Sequence, residues 1–270
     1  MIAATWAAQL QGAEAEIVKV ETVSSPGLPI IELIGISALT GRGTRNRVRT
    51  ALKSLGYRLP SRRVTVNLAP VEHQKKGSQF DLSIALTMLV ATQQIQIRKP
   101  LEKVLFHAEL GLDGSLRPVH GTLPVLAACA DKGIGEVVLA AESRHQASLW
   151  SDQNIRIHYF ARLNEVVAWL TDDVQPADTA TRMDPEVYWP EVRATVDLRE
   201  IRGQHAARRA LEIAAAGGHH LLMAGPPGLG KTMLAQSLAG ILPPVSPEER
   251  IHLTAIYNAA GLMPNDRVWG

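Results

Sequence analysis

Cysteine is almost absent: Cys129 stands alone in 270 residues, so no disulfide can form within the chain and a reducing cytosol suits it. There is no unbroken apolar run approaching the roughly 18 residues a membrane-spanning helix needs, and mean hydropathy is only +0.01. No basic residue precedes Lys19, so the start Met1-Ile2-Ala3-Ala4-Thr5-Trp6 lacks the charged region of a secretory leader. A disordered chain is excluded too, because 46% of residues are apolar and only 20% charged. These absences lead to the expectation of a soluble cytoplasmic protein with no membrane partner, of a length suited to one large or two medium domains.

Acidic residues are also missing from one long stretch. Lysine and arginine total 28 against 26 acidic residues, and the net +2 identifies no partner by itself. Between Glu32 and Glu72, however, no acid occurs, while Arg42, Arg45, Arg47, Arg49, Lys53, Arg58, Arg62 and Arg63 all fall there. Such a stretch either contacts nucleic-acid phosphates, with salt-dependent and sequence-independent affinity, or is a solvated helix face with Arg45 and Arg49 one turn apart. Its single aromatic, Tyr57, weighs against a single-strand stacking platform.

Acids gather instead near the middle of the second half. Asp172, Asp173, Asp178, Asp184, Glu186 and Glu191 share a segment with Pro176, Pro185 and Pro190 that has no apolar periodicity. Residues 172–195 therefore read as a linker between a first domain, 1–171, and a second region, 196–270. In the first domain, alternation predicts strands over 14–23 and 63–68, and 30–36 is a further apolar run. Helical spacing covers 45–55, closed by Gly56, and 82–90. Residues 104–110 and 116–119 read as a hairpin around Asp113-Gly114. Helix, strand and helix follow at 123–132, 136–139 and 165–170. The class is α/β.

The second region carries the strongest motif. An alanine-rich helix over 204–216 ends at Gly217-Gly218, and the apolar run 221–224 reads as a buried strand. Gly225-Pro226-Pro227-Gly228-Leu229-Gly230-Lys231-Thr232 then matches the phosphate-loop pattern at every fixed position, followed by helical 233–242. Glycines let backbone N–H groups converge on a polyphosphate. Lys231 can reach the β- and γ-phosphates of ATP, and the Thr232 hydroxyl can ligate Mg²⁺. Ser246, Pro247 and Glu249 form a capping box that opens another helix. Beyond Thr232 the only acids are Glu248, Glu249 and Asp266, none after an apolar strand. The expectation is a chain that binds nucleotide without hydrolysing it alone.

The blocks Val196-Asp197-Leu198-Arg199-Glu200-Ile201-Arg202-Gly203-Gln204 and Ala210-Leu211-Glu212-Ile213-Ala214-Ala215-Ala216-Gly217-Gly218-His219-His220, with the phosphate loop, resemble the magnesium-chelatase-related AAA+ ATPases. The branch is that called YifB or ComM. Earlier blocks agree: Ser25-Pro26-Gly27-Leu28-Pro29, Arg47-Val48-Arg49-Thr50-Ala51-Leu52, Val64-Thr65-Val66-Asn67-Leu68-Ala69-Pro70 and Gly77-Ser78-Gln79-Phe80-Asp81-Leu82. The resemblance implies a Lon-protease-like mixed α/β domain followed by the first part of a P-loop AAA+ domain. It also implies hexamer formation and DNA processing, with helicase-driven branch migration during natural transformation. Two departures stand out. The family's second acidic motif, sensor residues and lid are missing, so the chain is expected to be a fragment or one of two chains. Residues 36–43 also lack the acids and proline expected there.

Other residues invite chemistry less strongly. In a Lon-like domain the nucleophile position falls at Gln79 or Ser78, but no lysine lies between Lys103 and Lys132 to serve as its base. His219 and His220, entering a strand, would point to opposite faces and share no metal. Cys129 reads as a small buried apolar residue. Two other functions remain open beside the DNA motor: a non-hydrolysing nucleotide-binding adaptor, and a metal-chelatase motor subunit acting on a tetrapyrrole.

Overall fold

Residues 2–11 are rich in alanine and poor in β-branched side chains, yet they form a ten-residue strand, β1 (Ile2–Gln11). It turns back through Gly12, at φ 65°, into β2 (Glu14–Ser25), with Ile2 opposite Val23 and Gln11 opposite Glu14. The computed structural model describes residues 2–70, 75–150, 154–172, 196–260 and 262. The linker expected at 172–195 lies outside the described residues apart from Asp172 and so is not delineated. Two compact units are present, Met1–Val187 with Ile251–Val268 and Tyr188–Arg250 with Trp269–Gly270.

The first unit is built on a seven-stranded mixed sheet. Its further strands are β3 (Ile31–Ile34), β4 (Arg63–Ala69), β5 (Val104–His107), β8 (Glu136–Ala140) and β9 (Arg156–Phe160), in the order β3-β4-β2-β1-β5-β8-β9. Pairings β1–β2 and β2–β4 are antiparallel, the other four parallel. The expected hairpin is only half right. Residues 104–107 join the main sheet beside β1, and only β6 (Glu109–Leu110) and β7 (Leu116–Arg117) pair around the turn, where Gly114 has φ 82°. The apolar run continuous in sequence is split by the sheet that claims its first half. Strand β9 is a further element that patterning left unannounced.

Period-two alternation sends side chains into two cores. On one face, Val138, Ala140 and Phe160 join Val64, Val66 and Leu68 under α1 (Ala38–Ser54), α2 (Asp81–Ala91) and α5 (Leu163–Thr171). On the other, Leu105, Val137, Leu139 and Tyr159 meet α3 (Thr122–Lys132) and Ala147 of α4 (Arg144–Ala147). Helix α2 is buried almost all round, which is why its sequence is apolar without a polar face.

Helix α1 begins a full two turns earlier than its apolar spacing predicts, because Ser37 caps it through Thr40 N–H. It ends as predicted at Gly56, in a Schellman arrangement: Gly56 N–H donates to Lys53 O and Tyr57 N–H to Leu52 O, at 3.1 and 3.0 Å. Gly41, Thr44, Val48, Ala51 and Leu52 make its buried stripe, and burying Val48 and Leu52 contributes about 2 kcal/mol each.

The second unit has a small core of Leu198, Ile201, Leu211 and Leu234. Leu211 comes from α6 (His205–Gly217) and Leu234 from α7 (Lys231–Ser237), which a 3₁₀ turn continues to Gly240. The capping box of α8 (Pro247–Ala259), a helix whose residues from Ile251 on are counted with the first unit, is present: Glu249 N–H donates to Ser246 Oγ at 3.2 Å, and Ser246 N–H to Glu249 Oε2 at 2.8 Å. The expectation of a buried strand at 221–224 is overturned. No strand pairs with it among the described residues, Leu222 is 93% exposed, and only Met223 reaches the core. A run of this kind is buried only when strands flank it and layers cover both faces.

Candidate functional site

The phosphate loop of the second unit owes its shape to glycine. Gly225, Gly228 and Gly230 have φ of 158°, 87° and 77°, and the latter two lie in the left-handed region that side chains disfavour. Gly230 then opens α7, with Leu234 N–H donating to Gly230 O at 3.0 Å. Leu234 anchors that helix on Leu211 and so fixes the loop from below. Lys231 curls back over the loop, its Nζ donating to Gly225 O at 2.8 Å and Pro226 O at 2.7 Å. Thr232 is exposed beside it. Gln204, at φ 52°, closes the loop's far side by donating from Nε2 to Leu229 O at 3.5 Å. A left-handed glycine backbone, a cation held on the loop and an adjacent exposed hydroxyl are the donor set a Mg²⁺-nucleotide requires.

The arginine-rich stretch of the first unit does not act as one surface. Arg47 turns inward and binds Asp81 on α2 in two bonds, Nε to Oδ2 at 2.6 Å and Nη2 to Oδ1 at 3.1 Å. Burial pushes the Asp81 carboxyl above the ordinary aspartate range, with Arg47 pulling against that shift. The hydrogen bond to Asp81 in turn raises the Arg47 guanidinium. Arg63 lies across the β3–β4 pairing and binds Glu32 at 2.7 Å. Arg47 is thereby engaged within the fold, whereas the Arg63–Glu32 pair lies at the surface, with the Arg63 side chain 50% exposed. Arg42, Arg45, Arg49, Lys53, Arg58 and Arg62 are exposed and stand in no ion pair among the described residues.

No serine–lysine pair forms among the described residues. Ser78 Oγ donates to the Glu109 carboxylate, which also faces Arg117, while Gln79 donates to Lys76 O. Lys75, three residues earlier, is fully buried and binds Glu16 at 3.1 Å. His219 serves the end of α6, its N–H donating to Ala214 O. Cys129 is buried, and burial pushes its thiol up to about 12, consistent with a packing role.

Two of the buried polar features that escaped sequence reading stand out. One is the Arg47–Asp81 pair, for which an arginine on an otherwise apolar-flanked helix face was the only signal. The other is His107, at the end of β5, buried with Nε2 on His120 O at 3.1 Å and pushed down to about 4 by desolvation. A histidine closing an apolar strand gives no local hint of this.

Comparison with known proteins places both units in one group. The family described as subunit ChlI of Mg-chelatase matches residues 20–143, and that described as magnesium chelatase, subunit ChlI, matches 197–270. Competence protein ComM of Haemophilus influenzae is 41% identical over 247 residues, 91% of this chain and 47% of that protein. An uncharacterised protein of Mycobacterium tuberculosis is 39% identical over 260 residues, 95% of this chain and 50% of its own. The uncharacterised protein YifB of Escherichia coli is 33% identical over 263 residues, 96% and 49% respectively. The chain thus spans about half the length of the curated relatives it matches.

Proposed function

This chain belongs to the magnesium-chelatase-related AAA+ family of the YifB and ComM proteins, and from that premise we propose that it binds ATP with Mg²⁺ and serves a DNA-processing motor. The observation that carries the nucleotide reading is Lys231 held over the loop, its ammonium already seated on the Gly225 and Pro226 carbonyls. Gly225, Pro226, Pro227, Gly228, Leu229 and Gly230 would wrap the phosphates with their backbone. Lys231 would exchange its carbonyl partners for phosphate oxygens, and Thr232 would hold Mg²⁺. The nucleotide supplies a transferable γ-phosphoryl group; this chain's residues bind and orient it.

A role in competence is supported by the name of the Haemophilus relative, and DNA as the substrate by the exposed cations at Arg42, Arg45, Arg49, Lys53, Arg58 and Arg62. The domain division at 172–195 and a hexameric ring belong to the same proposal, the ring following from the family. Titration of a fluorescent ATP analogue tests the core of it. Lys231→Ala is expected to abolish binding, because the loop loses its side-chain cation. Equal affinity in mutant and parent would overturn the phosphate-loop assignment.

A further inference from the structure

The exposed cations of α1 are arranged, not scattered. Arg42, Arg45, Arg49 and Lys53 follow a spacing of three, four and four, which aligns them on one stripe of α1, about 16 Å long. That stripe is turned away from Arg47, which faces α2. Beside it lies a groove of about 410 Å³ between Arg45 and Arg49 on one side and Pro29, Ile30 and Ile31 on the other. A second groove, of about 640 Å³, is lined by Arg58, Arg62, Ser24, Ser61, Gln93 and Gln94. Leu59 and Pro60 line both grooves and form the wall between them. Pro60 restricts this connection, and Arg58 N–H donates to Gln94 Oε1 at 2.8 Å, so the segment is tied down beside the end of α2.

The chemistry of the lining narrows the ligand. Among the described residues no acid lines either groove, whereas a third groove in this unit, around Trp6 and Lys132, contains both Glu102 and Glu136. Four arginines spread over two open, adjoining grooves suit an extended polyanion better than a small enclosed one, and guanidinium groups match phosphate oxygens bidentately. Among the described residues no aromatic ring lines either groove, so unstacked bases find no platform there and the backbone is what is read. We infer that the grooves flanking Leu59 and Pro60 are a track for the phosphodiester backbone of duplex DNA, gripped by Arg45 and Arg49 on one side and Arg58 and Arg62 on the other. This rests on the reading of the protein as a DNA-processing one, and it assigns the contact to these four arginines in place of the whole basic stretch.

The test is fluorescence anisotropy of a labelled duplex with the full 270-residue chain, across a salt series and with two unrelated sequences. The parent is expected to bind both duplexes alike. Arg45→Gln/Arg49→Gln and Arg58→Ser/Arg62→Ser should each lower the slope of log affinity against log salt by about two units. The corresponding lysine double variants should keep the parental slope, since the slope counts charges. Arg156→Gln, on the strand at the opposite sheet edge from β3, should leave binding unchanged. Parental urea midpoints and ATP-analogue affinity establish that each variant is folded. If the parent binds while both arginine-deleted variants match it, the track is wrong and the DNA reading stands elsewhere on the protein. If the folded parent binds no duplex at low salt, both fall together. Tighter binding of a single strand through the same arginines would overturn the duplex assignment.

Discussion

Arg47 holds both carboxylate oxygens of Asp81, 34 residues further along the chain, and the Asp81 side chain has no solvent exposure at all. This pair clamps α1 to the first turn of α2, the helix buried at the centre of the first unit. Arg47→Ala leaves the Asp81 carboxylate buried without its partner, and a loss of about 3 kcal/mol is expected. The loss should shrink on acidification, because burial favours the protonated carboxyl and proton uptake removes the unpaired charge. Urea unfolding at pH 8 and pH 5 measures both; a loss independent of pH would mean Asp81 finds another cation.

His107 gives the fold a second pH dependence. Its imidazole is neutral when buried and is pushed down to about 4, below the ordinary histidine value. Between those values the unfolded chain binds the proton and the folded one does not, so stability is intact above about pH 6.5 and is lost as pH falls toward 4. The difference amounts to about 3 kcal/mol for one such group. His107→Gln should flatten the pH profile of the urea midpoint over that window. An unchanged profile would place the titration elsewhere.

Thr232 and Lys231 should separate in their effects. Thr232→Ala leaves the cation on the loop but removes the hydroxyl that would reach Mg²⁺. Affinity for ATP in the presence of Mg²⁺ should fall by about 1.5 kcal/mol, roughly tenfold, while Mg²⁺-free affinity stays parental. Paired titrations with Mg²⁺ and with EDTA decide it, and equal losses in both would assign Thr232 to the phosphates.

Ser246→Ala removes one half of the capping box at α8 and should cost about 1 kcal/mol locally. The readout is amide exchange at Glu249, whose N–H loses its acceptor and should exchange faster than in the parent. Protection equal to the parent's would show that the cap is unused.

What sequence alone determined here is whatever neighbours in the chain decide. The 225–232 motif is contiguous, so its glycines, Lys231 and Thr232 are set by spacing along the chain. The same holds for the Ser246 cap, for the end of α1 at Gly56 and for the α/β alternation of the first domain. Tertiary structure decided what depends on distant partners. Alanine-rich β1 is a strand because β2 and β5 pair with it, and 104–107 leaves the expected hairpin because the same sheet takes it. The arginines show the division most plainly. Eight cations looked alike in sequence, but Arg47 and Arg63 find acids 34 and 31 residues away, which no local pattern reveals. An ion pair forms only where the fold brings opposite charges within a few ångströms, so only the fold could separate the arginines that meet an acid from those that meet none among the described residues.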